Sequence, residues 1–229
     1  MTTISTNLQA VRARIAAAAE LAGRAVEDIR LLAVSKTFPP ERVREAARAG
    51  QLAFGENYVQ EGLAKIASLA DPGLEWHFIG PLQSNKTRPV AEHFAWVHGI
   101  ERLKIAERLS VARGEERPPL QVCIQVNVSG EASKSGVSPQ DTAALALAVS
   151  ELPNLKLRGL MAIPEPTGDM ALARRRFATL RELRDALKRT GLALDTLSMG
   201  MSHDLEAAIL EGATIVRVGT AIFGERARI

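Results

Sequence analysis

Eight short apolar runs, each separated from the next by a longer and more polar stretch, constrain the fold of this 229-residue chain more than any other feature. The runs are IRLLAVSK (29–36), QLAFGEN (51–57), EWHFIG (75–80), WVHGI (96–100), LQVCIQVNV (120–128), LKLRGLMAI (155–163), TLSMGM (196–201) and TIVRVGTAIF (214–223). Several are almost continuously apolar, which is typical of parallel strands that are buried on both faces. The pattern therefore predicts an α/β protein with a parallel sheet.

Helical patterns precede the first run and fill most of the intervals between the runs. They extend over residues 4–22, 39–50, 84–93, 101–112, 139–151, 168–189 and 203–211. Eight strands that alternate with helices predict one closed (β/α)8 TIM barrel over residues 1–229, with an extra N-terminal helix. No GxGxxG motif follows the first run, which weakens the alternative of an open dinucleotide-binding sheet.

Composition and charge restrict the partners and the location that we expect for the protein. Hydrophobic residues make up 46% of the chain, yet no apolar run approaches the ~20 residues of a membrane span, and no secretory signal begins the sequence. The net charge is only +3 and aromatic residues make up 4%, so we predict no nucleic-acid contact and interpret the arginines at 174–176 as a solvated helix face. The sequence predicts a cytoplasmic protein without membrane contact. Cys123 lies in an apolar run and is interpreted as a buried thiol.

Lys36 ends the first apolar run, and the C-terminal ends of the strands carry the functional residues in barrels of this kind. Alternation along a strand places Lys36 on the same face as Leu32 and Val34. A lysine there is costly to bury unless it is paired, deprotonated or covalently modified, and a desolvated amine attacks carbonyl groups. The alternative is a lysine whose ammonium group reaches solvent at the mouth of the barrel.

The ends of the seventh and eighth runs resemble a phosphate site, because TIM barrels often bind phosphate in the loops after these two strands. Ser202 directly precedes a helical pattern and is interpreted as its N-cap, which presents free N–H groups to an anion. Gly219 allows a phosphate oxygen to approach its amide, and Thr220 adds a hydroxyl. The alternative interpretation is an ordinary helix cap followed by a glycine turn.

Other polar residues lie within the predicted strands or at their ends. Arg217 shares a face with Ile215 and Gly219, and an arginine there is expected to have a partner. It either binds a carboxylate or donates to the ring nitrogen of a bound heterocycle. In the second case the ring nitrogen would stay unprotonated, because arginine keeps its proton. His77 faces the site or is a core histidine, Asn57 positions a ligand oxygen or caps a helix, and Glu56 pairs with a basic residue. The remaining histidines have no metal-ligand spacing and no GxSxG is present, so we predict neither a metal site nor a hydrolase triad.

Seven segments together resemble the pyridoxal phosphate homeostasis protein family, and they cover nearly the whole chain. The segments are LLAVSKTFP, FGENYVQEG, LEWHFIGPLQSNK, SKSGV, LRGLMAIP, LSMGMSHDLEAAI and VRVGTAIFGER. The resemblance implies a single barrel that is similar to the N-terminal domain of alanine racemase. It also implies control of intracellular free pyridoxal 5′-phosphate (PLP), without an established catalytic activity and therefore without catalytic residues.

The resemblance further implies a role for each candidate residue. Lys36 would hold PLP as a Schiff base, and Arg217 would face the pyridine nitrogen. The other implied contacts are phosphate contacts from the segment between Ser198 and Ser202 and from Gly219 and Thr220, and pocket-lining contacts from Asn57, His77, Met199 and Met201. One departure is visible, because typical members have a second lysine two residues after the Schiff-base lysine and this chain has Phe38, while Lys134 is retained.

Two other functions compete with a PLP carrier that supplies PLP-dependent apo-enzymes as a monomer. A PLP-dependent amino-acid racemase needs an acid/base on each face of the substrate Cα. In alanine racemase a second domain brings the tyrosine base, whereas this chain has a single tyrosine, Tyr58, after the second run. A Schiff-base aldolase would use a barrel lysine and a substrate phosphate without a cofactor, and would be colourless.

Overall fold

The structure is a computed structural model that describes residues 3–131 and 135–225. Across these two ranges, eight parallel strands pair in sequential order, and the last pairs with the first to close a barrel. The strands are β1 (Arg30–Val34), β2 (Ala53–Glu56), β3 (Glu75–Phe78), β4 (Trp96–Ile100), β5 (Leu120–Gln125), β6 (Leu155–Met161), β7 (Thr196–Ser198) and β8 (Ile215–Val218). The predicted (β/α)8 TIM barrel is confirmed.

Helices surround this barrel. Those that the described ranges contain are α1 (Ile4–Leu21), α2 (Pro40–Arg48), α3 (Val59–Leu69), α4 (Thr87–His93), α5 (Leu103–Arg113), α6 (Thr142–Ser150), α7 (Met170–Arg189), α8 (Leu205–Leu210) and α9 (Thr220–Phe223). Helix α1 precedes β1 and packs against α2, α8 and α9, which confirms the predicted extra N-terminal helix. Helix α9 has only four residues, and α1 packs against both α8 and α9 on this side of the barrel.

The apolar core forms two clusters, one inside the barrel and one between the strands and the helices. The interior cluster consists of Leu32, Val34, Ala53, Ile79, Trp96, Cys123, Met161 and Ile215. Leu32 and Val34 therefore point inward, as the alternation along β1 predicts. Cys123 is a buried free thiol, and burial raises its pKa to about 12, so it stays protonated at neutral pH.

Helix α3 was not predicted from the sequence, because its buried face carries few apolar side chains. Val59, Gly62 and Lys65 are the buried residues on this face. A Cβ on Gly62 would lie 2.7 Å from the Phe94 ring, so the glycine allows a close helix contact that leaves no apolar signal. The third buried position is a lysine, which sequence patterns assign to solvent.

The last two strands are shorter than the apolar runs that predict them. Strand β7 ends at Ser198, because Gly200 turns the chain with a φ of +91° and a Cβ there would lie 2.6 Å from the Ala208 side chain. The run 214–223 contains both β8 and α9. A four-residue helix is too short to show helical periodicity, so its buried residues Ile222 and Phe223 resemble a continued strand in sequence.

No helix in the described ranges is long and apolar enough to cross a membrane. In the same residues, no three side chains among histidine, cysteine, aspartate and glutamate come together in a way that could hold a metal ion.

Candidate functional site

A cavity of about 300 Å³ opens at the C-terminal end of the barrel, where parallel strands of this fold place their functional loops. Its volume lies at the lower end of the range for small-molecule sites. The residues that line it are Lys36, Asn57, Ile79, Pro81, Gln125, Ser135 and Ile163. Two predicted site residues, Lys36 and Asn57, thus meet at this mouth cavity, while the others that line it were not identified from the sequence.

Lys36 belongs to a tight turn that directly follows β1. The Phe38 N–H donates to the Ser35 carbonyl at 3.1 Å, which closes the turn around Lys36. Thr37 has a φ of +69°, a left-handed conformation that costs energy for a β-branched residue. Its N–H donates to a carboxylate oxygen of Glu61 on α3, which holds the strained residue in place. The backbone on both sides of Lys36 is therefore fixed by hydrogen bonds.

A buried ion pair lies directly behind this turn. The Lys65 ammonium donates to Glu56 Oε1 at 2.7 Å, to Glu61 Oε1 at 2.6 Å and to the Ser35 carbonyl at 2.7 Å. Glu56 is fully buried and also accepts from the Ser35 hydroxyl at 2.6 Å. Burial raises the pKa of Glu56, although the charge of Lys65 opposes that shift. The predicted pairing of Glu56 with a basic residue is confirmed.

Phe38 occupies the position where the resembling family often has a second lysine. Its ring stacks on Phe223 of α9 with 5.2 Å between the ring centroids. The side chain therefore connects the Lys36 turn to the segment that follows β8, where the sequence predicts phosphate contacts. The other lysine of that comparison, Lys134, lies outside the described residues, as does Ser133.

Arg217 points into the barrel from β8 and is 3% exposed. Its Nη1 donates to the Ser198 hydroxyl at 2.8 Å and its Nη2 donates to the Ala162 carbonyl at 2.9 Å. No carboxylate in the described part of the chain forms an ion pair with it, so the alternative of a structural carboxylate partner is wrong there. Burial lowers the pKa of Arg217 to about 10, which still leaves the guanidinium protonated at neutral pH.

His77 lies inside the barrel, where both ring nitrogens are occupied. Nε2 contacts Glu75 Oε1 at 2.6 Å, and Nδ1 contacts His98 Nε2 at 2.9 Å. The His77 ring also stacks on Trp96, with 5.3 Å between the centroids. Because both polar atoms are engaged by the protein, the side chain is a satisfied core histidine, and the prediction that it lines the pocket needs correction.

Ser198 also differs from its predicted role. Its hydroxyl is fully buried, accepts from Arg217 and lies 2.8 Å from His98 Nδ1. Ser198 is thus part of the barrel interior, and its side chain is unavailable to a phosphate. Met199 needs a similar correction, because its side chain is buried in the outer core between the strands and the helices.

The loops after β7 and β8 meet, as the predicted phosphate site requires. The Ala221 N–H at the start of α9 lies 3.5 Å from the Ser202 hydroxyl. Ser202 is not the N-cap of the following helix, because α8 begins at Leu205 and Asp204 occupies the N-cap position. The Asp204 carboxylate instead accepts from the Met201 N–H at 2.6 Å. Ser202 and Thr220 are left with hydroxyl groups at a partly open surface.

Gly219 lies against the strand that leads to Lys36. A Cβ at this position would stand 3.1 Å from the Val34 carbonyl oxygen and 3.4 Å from the Val34 Cβ. Strands β1 and β8 are neighbours in the barrel, with Leu32 opposite Arg217. The absence of a side chain therefore brings the predicted phosphate loop, the buried arginine and the Lys36 turn together.

These groups form a donor set that fits a phosphorylated heterocycle with a carbonyl group. Lys36 supplies an amine, Ser202 and Thr220 supply hydroxyls beside backbone amides, and Arg217 supplies a buried cation. Among the described residues, its acceptors are a hydroxyl and a backbone carbonyl, so the guanidinium has further N–H groups that could donate to an acceptor such as a ring nitrogen. In the part of the chain that the structure describes, no set of metal ligands accompanies these groups.

The amino-acid sequence of this chain is similar to those of known proteins. Residues 6–227 match the family described as alanine racemase, N-terminal domain. The chain is 64% identical to the pyridoxal phosphate homeostasis protein of Pseudomonas aeruginosa over 226 residues, which cover 99% of this chain and 97% of that protein. It is 56% identical to the pyridoxal phosphate homeostasis protein of Escherichia coli K12, over 99% of this chain and 98% of that protein.

Solved structures show the same similarity. The structure of PipY from Synechococcus elongatus PCC7942 with PLP bound has a TM-score of 0.81 and 41% identity, over 92% of this chain and 100% of that chain. Alanine racemase from Clostridium difficile 630 has a TM-score of 0.77 at 14% identity, over 99% of this chain and 57% of that chain, and this likeness concerns the fold alone.

Proposed function

The chain belongs to the pyridoxal phosphate homeostasis protein family, and from this premise we propose that it holds PLP as a Schiff base on Lys36 and keeps the cofactor available to PLP-dependent enzymes. One observation carries the proposal. Arg217 is buried without a carboxylate partner in the described residues, on the strand next to the one that leads to Lys36. PLP has an aldehyde for the lysine, a ring nitrogen for the arginine and a phosphate for the loops after β7 and β8.

Each residue has a defined part in this proposal. Lys36 forms the covalent bond, and Asn57 lines the same cavity. Arg217 donates to the ring nitrogen, while Ser202, Gly219 and Thr220 hold the phosphate. The Met201 N–H is already bonded to Asp204, so Met201 contributes to the pocket wall only. When bound, PLP supplies an aldehyde that condenses reversibly with amines. Met199, Ser198 and His77 support the site through packing and hydrogen bonds, and their side chains do not contact the cofactor.

The linkage to Lys36 is tested by reduction with borohydride, which converts a Schiff base into a stable amine. We expect the purified protein loaded with PLP to lose its visible absorption band on reduction. Peptide mass analysis is expected to place the pyridoxyl group on the peptide that contains Lys36. A pyridoxyl group found mainly on Lys86 or Lys134 contradicts the assignment, and a colourless protein that never takes up PLP contradicts the function.

We further propose that the protein acts as a monomeric carrier in the cytoplasm and does not turn over amino acids at an enzymatic rate. Arg217 supports this part, because a permanently protonated donor keeps the ring nitrogen unprotonated and weakens the cofactor as an electron sink. Tyr58 also supports it. Its side chain is 55% exposed and lines a neighbouring groove with Gln60 and Lys86, and it is not among the residues that line the mouth cavity.

The expected result is a racemisation rate well below that of ordinary enzymes. A missing acid/base group typically lowers a rate by about 10²–10⁴-fold. The measurement is deuterium exchange at Cα, together with chiral analysis, for a panel of amino acids incubated with the loaded protein. A kcat of roughly 1–10³ s⁻¹ for any of them contradicts the carrier and favours a racemase.

A further inference from the structure

A chain of buried hydrogen bonds crosses the barrel interior from Arg217 to the opposite mouth. Arg217 contacts the Ser198 hydroxyl, Ser198 contacts His98, and His98 contacts His77, with successive distances of 2.8, 2.8 and 2.9 Å. His77 then contacts Glu75 at 2.6 Å. Arg217, Ser198, His98 and His77 are all buried, whereas Glu75 begins β3 and its side chain is 34% exposed.

The residues at the two ends of this hydrogen-bond chain, Arg217 and Glu75, determine the position of each proton. An arginine has donors only, so the Ser198 oxygen accepts from Arg217. At the other end, burial works to raise the pKa of Glu75, but the hydrogen bond from His77 and the adjacent Arg30 guanidinium hold it below its usual range. Glu75 is therefore a carboxylate and accepts a proton from His77 Nε2.

The remaining positions follow from the two ends. Burial lowers the pKa of both histidines, so each ring is neutral and carries one proton. His77 has its proton on Nε2, so its Nδ1 accepts from His98 Nε2. His98 Nδ1 then accepts from the Ser198 hydroxyl. Every hydrogen bond points in the same direction, from the guanidinium to the carboxylate, and both histidines are Nε2–H tautomers.

We propose that His98, His77 and Ser198 are positioning residues that orient the Arg217 guanidinium toward the ring nitrogen of the cofactor, with Glu75 as the terminal acceptor. This inference rests on the proposed PLP function and goes beyond it, because it assigns the orientation of the ring-nitrogen donor to residues that never touch the cofactor. Nη1 donates to Ser198 and Nη2 donates to the Ala162 carbonyl, and these two hydrogen bonds fix the plane of the guanidinium group.

Few charged or titratable groups lie around these hydrogen-bonded residues, so few other groups could change the orientation of Arg217. Glu75 and Arg30 face His77 from β3 and β1, with 2.6 Å between the Arg30 guanidinium and Glu75. His98 is influenced by His77, Arg217 and Arg30. Asp204 and the protonated Cys123 are the groups that influence Arg217. A change at Glu75 therefore reaches Arg217 through the histidines, because Glu75 does not contact Arg217 directly.

The first experiment needs no cofactor. Nitrogen-15 NMR of histidine side chains in the PLP-free protein at pH 7 distinguishes the two neutral tautomers from the imidazolium. We expect His77 and His98 to be neutral Nε2–H tautomers. An Nδ1–H tautomer or a charged ring at either position overturns the direction of the chain and with it the proposal.

The second experiment breaks the chain at two places and measures the bound cofactor. In Ser198→Ala and in Glu75→Ala, we expect PLP binding to weaken by about tenfold and the pH midpoint of the visible absorption change to move by roughly one unit. Arg42→Gln is the matched control, since it removes a surface ion pair with Glu45 and leaves the hydrogen-bond chain and the charges around it intact. We expect its spectrum and affinity to equal those of the wild type.

The outcomes separate the two proposals. If the wild type binds PLP and both Ala variants keep its affinity and pH midpoint, the positioning role is overturned and the proposed function stands. If the wild type does not bind PLP, the proposed function fails and takes the positioning role with it. Glu75→Gln, which keeps an acceptor at the end of the chain, is expected to restore the spectrum of Glu75→Ala, and it serves also if Ser198→Ala does not fold. A Gln variant that matches the Ala variant overturns the proposal.

Discussion

Replacing Lys65 with methionine is expected to lower the free energy of unfolding by about 3–5 kcal/mol, which is the usual result of removing one member of a buried ion pair. The substitution leaves Glu56 as a buried carboxylate whose only remaining hydrogen bond in the described structure comes from Ser35. It also removes the bond to the Ser35 carbonyl, next to Lys36. Urea denaturation at pH 7, followed by circular dichroism, measures the change.

Two controls identify the cause of this loss. The double substitution Lys65→Met with Glu56→Leu is expected to recover most of the stability, because an apolar pair of similar volume often replaces a buried ion pair at little cost. The deficit of the single variant should also shrink with falling pH. Burial raises the pKa of Glu56, so the folded protein binds the proton more tightly than the unfolded chain, and acid favours the folded state. A deficit that is independent of pH contradicts this explanation.

Removing the phosphate from the ligand is expected to weaken binding by roughly 10²–10⁴-fold, if about two charge-assisted hydrogen bonds of 1.5–3 kcal/mol each are lost. The measurement is the ratio of the dissociation constants of pyridoxal and PLP. Ser202→Ala and Thr220→Val are each expected to reduce this ratio by about tenfold. Comparing ratios cancels any difference in aldehyde reactivity between the two ligands. Equal affinities for PLP and pyridoxal in the wild type contradict the assigned phosphate site.

Gly219→Leu is expected to abolish measurable PLP binding by a different route. The side chain would point at Val34 on β1, so it would separate the end of β8 from the strand that leads to Lys36. Gly168→Leu is the matched control, because a side chain at that glycine meets open space. The melting temperature of both variants distinguishes a local loss of binding from unfolding. Wild-type affinity in Gly219→Leu would show that the approach of β8 to β1 is unimportant for the site.

The barrel could be predicted from sequence because its strands are buried on both faces and its helices are amphipathic. The position of Arg217 inside the barrel could also be predicted, since alternation from Ile215 places its side chain inward. The same alternation along β7 starts at Thr196 and predicts that Ser198 also points inward. The prediction of Ser198 as a phosphate contact did not take this into account. Met199 points outward for the same reason.

The interactions that support the site could not be predicted from the sequence. They join residues that are far apart in sequence, or residues on helices that the sequence pattern did not indicate. His98 and Ser198 are separated by 100 residues, and nothing in either local segment indicates a hydrogen bond between them. Lys65 lies on α3, whose buried face carries a glycine and a lysine in place of apolar residues. Tertiary contacts decide these positions, and periodicity carries no information about them.

Helix α1 has a consequence for the order in which the protein folds. Its Arg14 pairs with Glu206, 192 residues later, and its Asn7 donates to the Ile222 carbonyl, 215 residues later. Closing loops of this length is entropically costly and slow, so these contacts form after the more local strand pairs. Helix α1 can therefore contact α2 early, whereas the part of its surface that packs on α8 and α9 stays uncovered until those helices have formed.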